Sequence, residues 1–181
     1  ADIFNNYKDI AEDGDWWCYK MDSDEIYFDN PKELLPTITK RHHVVFKKSL
    51  DYMFTKEDTD SIDFTKPFQD IVYSFNHLKP KAYLEARFFR HRKGLVWPEN
   101  IYQPIHMGMA SSKTILTKHY QFRSPKQMQA RLDLRTSIPR DKRGKPFKHV
   151  TQTKWEELLL NSDQVIKDEP NNYTNIPSYG N

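Results

Sequence analysis

The chain has 181 residues, with 28 Lys and Arg against 25 Asp and Glu, which gives a formal net charge of +3 at pH 7. This length predicts one domain with an ordinary hydrophobic core. The balanced charge argues against a protein that binds nucleic acid through a strongly positive surface. An aromatic fraction of 14% excludes a disordered chain. No apolar run approaches the roughly 18 residues of a transmembrane helix. The single cysteine, Cys18, excludes an internal disulfide and favours a reducing, cytoplasmic location.

The N-terminal segment predicts a helix followed by a strand. Apolar residues recur at helical spacing over residues 3–11, and the sequence Asp-Gly-Asp at 13–15 ends the pattern. Residues 16–21 (WWCYKM) are aromatic and nearly all apolar, which predicts a strand covered on both faces. This strand runs directly into Asp22 and Asp24, so we expect carboxylates at the carboxyl end of a central strand.

The middle of the chain predicts one short helix and two strands. Asn30, the following proline and a glutamate three residues after the cap predict a helix through about residue 40. Residues 42–54 alternate loosely and carry β-branched and aromatic side chains, which predicts a strand with a bulge near Lys47 and Lys48. After a polar loop, residues 81–91 predict a further strand that ends at a turn.

The last third of the chain contains two more helix starts. Ser124 before a proline, with Gln127 three residues later, predicts a capped helix, and a similar pattern begins at Thr153. A basic loop over residues 139–146 separates these helices. We predict a single α/β domain over residues 1–166 and a polar tail over 167–181.

An Asp-x-Asp pattern occurs three times, at Asp13/Asp15, Asp22/Asp24 and Asp58/Asp60. Two carboxylates at i and i+2 of an extended backbone project to the same side and can share a hard divalent cation such as manganese or magnesium. Only the Asp22/Asp24 pair follows a strand that looks buried, and strand ends are where open α/β sheets bind ligands. The alternative is that all three pairs are solvated turn acids.

Two further groups of residues could carry chemistry. His119 and Arg123 precede the helix start at Ser124, a position that favours anions, although a packed histidine and a surface arginine are the ordinary alternative. Glu85 and Arg87 occupy the same face of the strand predicted over residues 81–91. They could therefore simply pair with each other.

The residues around the aspartates resemble a known family. Residues 16–25 (WWCYKMDSDE) resemble the aspartate signature of family 2 glycosyltransferases, in which an aromatic strand ends in Asp-x-Asp-Glu. The C-terminal part of a bacterial branch of that family is similar in the order of its later motifs: residues 85–91 (EARFFRH), Trp97, residues 119–124 (HYQFRS), Gln127 and Arg131. These motifs span about residues 10 to 160.

The resemblance implies a partial GT-A-like fold, an α/β nucleotide-diphospho-sugar transferase with a mixed sheet and flanking helices. Residues 1–166 would be the C-terminal part of the catalytic domain. The half that binds the nucleotide base in this family would precede Ala1, so we expect this chain alone to be inactive or nearly so.

The implied activity is metal-dependent transfer of a sugar, with inversion, from a nucleotide-sugar donor to a hydroxyl group of a sugar or glycan acceptor. The resemblance assigns Asp22 and Asp24 to a divalent cation, manganese or magnesium. It assigns His119 to the metal shell or the diphosphate. Arg123 would help to neutralise the leaving diphosphate. Glu85 is a candidate for the carboxylate that takes the acceptor's proton.

Two other classes of function remain open. A non-catalytic carbohydrate- or protein-binding domain would use the aromatic residues and would have no need of metal at the aspartates. A nucleic-acid-binding module, with the basic cluster at residues 140–148, would show a steep dependence of affinity on salt. A metal titration and a salt titration separate both classes from the transferase.

Overall fold

A computed structural model describes residues 1–99, 101, 103–137 and 151–179 of the chain. Within them the fold is α/β, with a mixed sheet and flanking helices. The strands are Trp16–Cys18 (β1), Glu25–Tyr27 (β2), Val44–Asp51 (β3), His77–Leu78 (β4), Ala82–Arg90 (β5), Ala110–His119 (β6), Ile166–Lys167 (β7) and Ser178–Tyr179 (β8). The α-helices are Asp2–Tyr7 (α1), Pro31–Leu34 (α2), Lys56–Ser61 (α3), Phe68–Ile71 (α4), Pro125–Ser137 (α5) and Pro170–Tyr173 (α6).

The chain forms two compact units. The first unit contains Ala1–Leu50, Ala82–His119 and the chain end from Ser178, and the second contains Asp51–Lys81 and Tyr120–Pro177. The segment predicted as a polar tail carries β7, α6 and β8, while the domain boundary at residue 166 stays a prediction. The basic loop at 139–146 and the basic cluster at 140–148 lie outside the described residues. No helix in the described ranges has the length and apolar character needed to cross a membrane.

The first unit is built on one six-stranded sheet. Its strands follow the order β1-β5-β3-β6-β2, and β8 adds to β5. The pairs β1/β5, β3/β5 and β2/β6 are antiparallel, whereas β5 and β8 run parallel. Successive residues of β5 serve different cores, because Phe88 packs with Val45 and Ile115 while Phe89 packs with Phe4 and Trp97.

The pairing of β3 with β5 contains a β-bulge. Val45 pairs with Phe88 and Phe46 pairs with Ala86, so β5 carries one extra residue, Arg87. The sequence predicted a bulge in the strand over residues 42–54, near Lys47 and Lys48. The irregularity instead falls opposite Val45 and Phe46, and the extra residue belongs to β5. A bulge bends its strand and re-aims the side chain at the extra position. The guanidinium of Arg87 is accordingly buried, with none of its side chain exposed.

The second unit has a core of stacked aromatic rings. We call Tyr52, Tyr120, Asp168 and Tyr173 the tyrosine cluster. The rings of Tyr52 and Tyr120 stack with centroids 4.4 Å apart, and the hydroxyl groups of Tyr52 and Tyr173 both donate hydrogen bonds to the carboxylate of Asp168. Burial, together with these bonds, raises the pKa of both hydroxyl groups above the ordinary value of tyrosine.

The strand predicted before the aspartates is wrong in two respects. It covers only Trp16–Cys18 rather than residues 16–21, and it lies at one end of the sheet order rather than in the centre. Both faces of β1 are partly covered, as predicted, because Trp16 packs against the core that contains Val45 and Phe88 while Trp17 packs against the core that contains Phe89 and Trp97. The cover ends at Cys18, which is exposed.

Candidate functional site

Asp22 and Asp24 lie in a tight turn between β1 and β2. The backbone N–H of Glu25 donates to the carbonyl oxygen of Asp22 at 3.1 Å, which closes the turn. The extended backbone predicted for this segment is therefore wrong, because a turn removes the i, i+2 alternation on which the shared orientation of the two carboxylates depended. The carboxylate of Asp22 instead lies 3.9 Å from the ammonium group of Lys20.

The other two Asp-x-Asp pairs have local structural roles. Asp13 accepts a hydrogen bond from the backbone N–H of Lys93, and Asp15 accepts one from that of Glu12, each at 2.8 Å. Asp58 completes the capping box of α3, in which Thr55 is the N-cap residue, because the carboxylate of Asp58 accepts from the backbone N–H of Thr55 at 2.8 Å. Asp13 and Asp15 fit the alternative of solvated turn acids, whereas Asp58 is buried, so that alternative does not describe it. The Asp22/Asp24 turn remains the candidate site.

The structure brings Asp24 and His119 together. The Oδ1 atom of Asp24 lies 3.6 Å from Nε2 of His119, and about a fifth of each side chain is exposed. The ladder between β2 and β6 explains this approach, since Glu25, the residue after Asp24, pairs directly with His119. Two polar side chains that are far apart in the sequence therefore meet at one partly open position.

A network of buried charges lies behind the turn. We call Lys20, Glu25, Lys47, Glu85 and Arg87 the charge network. Its innermost contact joins Nη2 of Arg87 to Oε2 of Glu25 at 2.6 Å, and Lys47 forms an ion pair with the other carboxylate oxygen of Glu25. The side chains of Glu25, Lys47 and Arg87 are 1%, 4% and 0% exposed, which makes these three charges part of the interior.

Glu85 connects the buried part of the network to the surface. Its carboxylate lies 2.9 Å from Nζ of Lys20, 3.2 Å from Nζ of Lys47 and 3.6 Å from Nη2 of Arg87. Burial opposes ionisation of this group, but the two lysines outweigh it and hold the pKa of Glu85 below its ordinary value. Burial and the neighbouring Arg87 lower the pKa of Lys47.

These contacts bear on the catalytic role predicted for Glu85. A general base is most effective when its pKa lies near the working pH, and the cations around Glu85 move its pKa in the opposite direction. The ion pair with Arg87 is the structural alternative that the sequence left open, and the structure contains that pair. Glu85 as the catalytic base stays a prediction that the geometry does not favour.

Arg123 belongs to the second unit, whereas Asp22, Asp24, Glu85 and His119 belong to the first. Its side chain is exposed, and its backbone N–H donates to Oε1 of Gln127 at 3.2 Å. The hydroxyl group of Ser124 accepts from the backbone N–H of Gln127 at 3.2 Å, which confirms the predicted cap of α5. The role of Arg123 at a diphosphate stays a prediction.

The donor set at the turn fits a shared cation rather than a closed metal site. In residues 1–99, 101, 103–137 and 151–179, no three His, Cys, Asp or Glu side chains form a group that could hold a metal ion. Asp24 and His119 supply one oxygen and one nitrogen, and Asp22 pairs with Lys20 instead. Magnesium sites that use one or two protein carboxylates complete the shell with water and substrate phosphates. The arrangement suits a cation of that kind.

Sequence reasoning missed the most buried part of the site. The sequence marks Lys47 only as a point of irregularity in a strand, and Glu25 only as the last residue of an acidic motif. The available signal was the pair of adjacent lysines, Lys47 and Lys48, in a predicted strand. Neighbouring side chains of a strand point to opposite faces, so one of the two faces the core, where a charged residue is almost never fully buried unless it is paired.

Comparison of the chain with protein-family models, with curated proteins and with solved structures finds no match.

Proposed function

We propose that this chain carries the metal-binding part of a GT-A-like glycosyltransferase, which transfers a sugar from a nucleotide-sugar donor to a hydroxyl group of an acceptor with inversion. The observation that carries the proposal is the approach of Asp24 to His119 at 3.6 Å, on a turn that the resemblance to family 2 glycosyltransferases had selected. That resemblance supplies the donor class, the acceptor class and the inversion.

The chemistry of the pair supports this assignment. Departure of a nucleoside diphosphate builds negative charge on its oxygen atoms, and a bound divalent cation neutralises that charge. Asp24 and His119 would hold the cation from the protein side, which leaves the other positions for diphosphate oxygens and water. Lys20, whose side chain is 43% exposed, adds a positive charge next to the same turn.

The first experiment measures Mn²⁺ binding by the chain with electron paramagnetic resonance. Asp24→Asn keeps the volume of the side chain and removes its charge, so we expect at least a tenfold loss of Mn²⁺ affinity with an unchanged circular dichroism spectrum. The matched control is the double substitution Asp13→Asn and Asp15→Asn. This control removes two negative charges from a second Asp-x-Asp pair, and we expect it to leave the Mn²⁺ affinity unchanged.

The second experiment measures transfer from a panel of nucleotide sugars by the longest natural form of the protein that contains this chain. We expect turnover with Mn²⁺ or Mg²⁺, none with chelator, and a loss of several orders of magnitude in Asp24→Asn. Turnover that survives both chelator and Asp24→Asn would refute the proposal. Sugar binding that ignores metal would then favour the non-catalytic binding domain.

A further inference from the structure

The turn that bears Asp22 and Asp24 is held at both of its ends by one buried residue. At the start of the turn, the guanidinium of Arg87 donates through Nη1 to the carbonyl oxygen of Lys20. The backbone carbonyl oxygen of Arg87 accepts from the backbone N–H of Tyr19 at 2.7 Å. At the end of the turn, Nη2 of Arg87 donates to Glu25 at 2.6 Å. The side chain therefore bridges the segment that leads from β1 into the turn and the first residue of β2.

The bulge in β5 gives Arg87 this position. A residue in a regular ladder pairs with both neighbouring strands, whereas the extra residue of a bulge is free of one partner and is turned in a new direction. Arg87 is the extra residue between the pairs Val45/Phe88 and Phe46/Ala86. Its guanidinium can therefore enter the interior next to Glu25 while its carbonyl group stays in the hydrogen-bond pattern of the sheet edge.

The energetics point to a role in geometry rather than in stability. Three buried charged side chains are costly to desolvate, and well-packed apolar residues of similar volume often give a fold that is equally or more stable. A network of this kind can restrict conformation, because Glu25 keeps its two ion pairs, with Lys47 and with Arg87, in one arrangement only, although Nε of Arg87 has no hydrogen-bond partner. In this network the conformation of Glu25 is restricted. Glu25 follows Asp24 in the chain and pairs with His119 in the ladder between β2 and β6.

From these contacts we infer that Arg87, together with Glu25, acts as a positioning residue that fixes Asp24 against His119. Arg87 does not itself touch substrate or metal in this scheme. It acts through the two ends of the turn, so that the oxygen of Asp24 and the nitrogen of His119 are held at the spacing of a metal-binding pair before any cation arrives. The consequence for metal affinity rests on the proposed function, whereas the geometric consequence does not.

The experiment uses nuclear magnetic resonance on the metal-free chain and Mn²⁺ binding on the same samples. Arg87→Lys keeps the positive charge next to Glu25 but has a single donor group, which cannot serve both ends of the turn. We expect the cross-peak between the ring protons of His119 and the Hβ protons of Asp24 to be lost and the Mn²⁺ affinity to fall at least tenfold. Glu25→Gln gives the same two results.

Asp58→Asn is the matched control in the second unit. Asp58 is buried, completes the capping box of α3 and accepts from His77 at 2.7 Å, so its substitution weakens the fold without touching the turn. The cross-peak and the Mn²⁺ affinity are expected to stay as in the wild type. An Arg87→Lys chain that is folded and keeps the cross-peak overturns the inference.

Hydrogen exchange on the wild type tests the inference even if Arg87→Lys does not fold. A turn held at both ends opens only with the sheet, so the amides of Tyr19 and Glu25 should exchange at the rate of the His119 amide. Exchange at least a hundredfold faster at Tyr19 and Glu25 would overturn the inference. If the wild type shows the cross-peak but binds no Mn²⁺, the proposed function fails and the positioning role stands.

Discussion

Each of the two units contains a carboxylate with buried partners, fully buried at Glu25 and half-buried at Asp168, and they stabilise it by different means. In the charge network of the first unit, Glu25 is paired with the cations Lys47 and Arg87. In the tyrosine cluster of the second unit, Asp168 accepts hydrogen bonds from two phenol groups. An ion network needs balanced charges on both sides, whereas a phenol donor carries no charge below its pKa. The two regions should therefore fail under different substitutions and at opposite ends of the pH scale.

The largest effect is expected from Arg87→Met. The substitution removes one partner of a buried ion pair and leaves Glu25 with incomplete compensation, which should lower the free energy of unfolding by about 3–5 kcal/mol. Urea unfolding followed by circular dichroism measures the loss. Substitution of both partners, Glu25→Leu with Arg87→Met, should recover much of the stability, because Lys47 still has Glu85. A loss in the double variant equal to the sum of the losses in Arg87→Met and Glu25→Leu would show that the two charges do not interact.

The next effect concerns alkaline pH and the tyrosine cluster. Because the pKa values of Tyr52 and Tyr173 are raised above 10.0, their contribution to stability is present below pH 10 and is lost as pH rises through their folded-state values. Each tyrosine should reduce the free energy of unfolding by about 1.4 kcal/mol per pH unit above 10, or about 3 kcal/mol together at pH 11. Urea unfolding at pH 9, 10 and 11 measures the slope. A Tyr52→Phe, Tyr173→Phe double variant should show a flatter one.

A smaller effect is expected from Asp168→Asn. The amide keeps one acceptor oxygen but has no charge, so both phenol hydrogen bonds lose their charge-assisted character and one loses its acceptor. We expect a loss of about 1–2 kcal/mol in the free energy of unfolding, clearly below that of Arg87→Met. Thermal unfolding of the two variants side by side gives the ranking. A larger loss for Asp168→Asn than for Arg87→Met would show that the tyrosine cluster contributes more to stability than the charge network.

The smallest effect lies on the acid side, at Glu85. Because the pKa of Glu85 is held below its ordinary value of 4.5, its contribution is present above that value and is lost as pH falls through the lowered pKa. Lys20 is 43% exposed and screened by water, so we expect a contribution of less than about 1 kcal/mol. The difference in unfolding free energy between wild type and Glu85→Gln should therefore shrink below pH 4.5. A difference that stays constant from pH 6 to pH 3 would exclude an ionic role.

Local sequence signals predicted the elements whose causes are local. Ser124 caps α5 as its short polar side chain and the following proline indicated, and β5 occupies Ala82–Arg90 within the predicted residues 81–91. The predicted helix at Thr153 is only a short 3₁₀ turn, Trp155–Leu158. The leucines that follow Thr153 favour a helix, but they do not determine its length.

The elements that the sequence did not predict depend on partners elsewhere in the chain. β6 (Ala110–His119) is mostly polar, and only its neighbours in the sheet make Ile115 and Thr117 buried residues. The proximity of Asp24 and His119 follows from the register of β2 on β6, which is a long-range property. The charge network is hidden for the same reason, because an isolated Lys47 gives no sign of Glu25 or Arg87.

The bulge in β5 makes the length of a strand and the identity of distant residues interdependent. Deletion of Arg87 would restore a regular ladder between β3 and β5, but it would also remove the guanidinium that Glu25 needs. An evolutionary lineage that shortens this strand by one residue should therefore replace Glu25 at the same time, by an uncharged side chain. In an alignment of relatives, a one-residue gap at position 87 should coincide with loss of the acidic residue after the second aspartate, which is a correlation between an indel and a substitution.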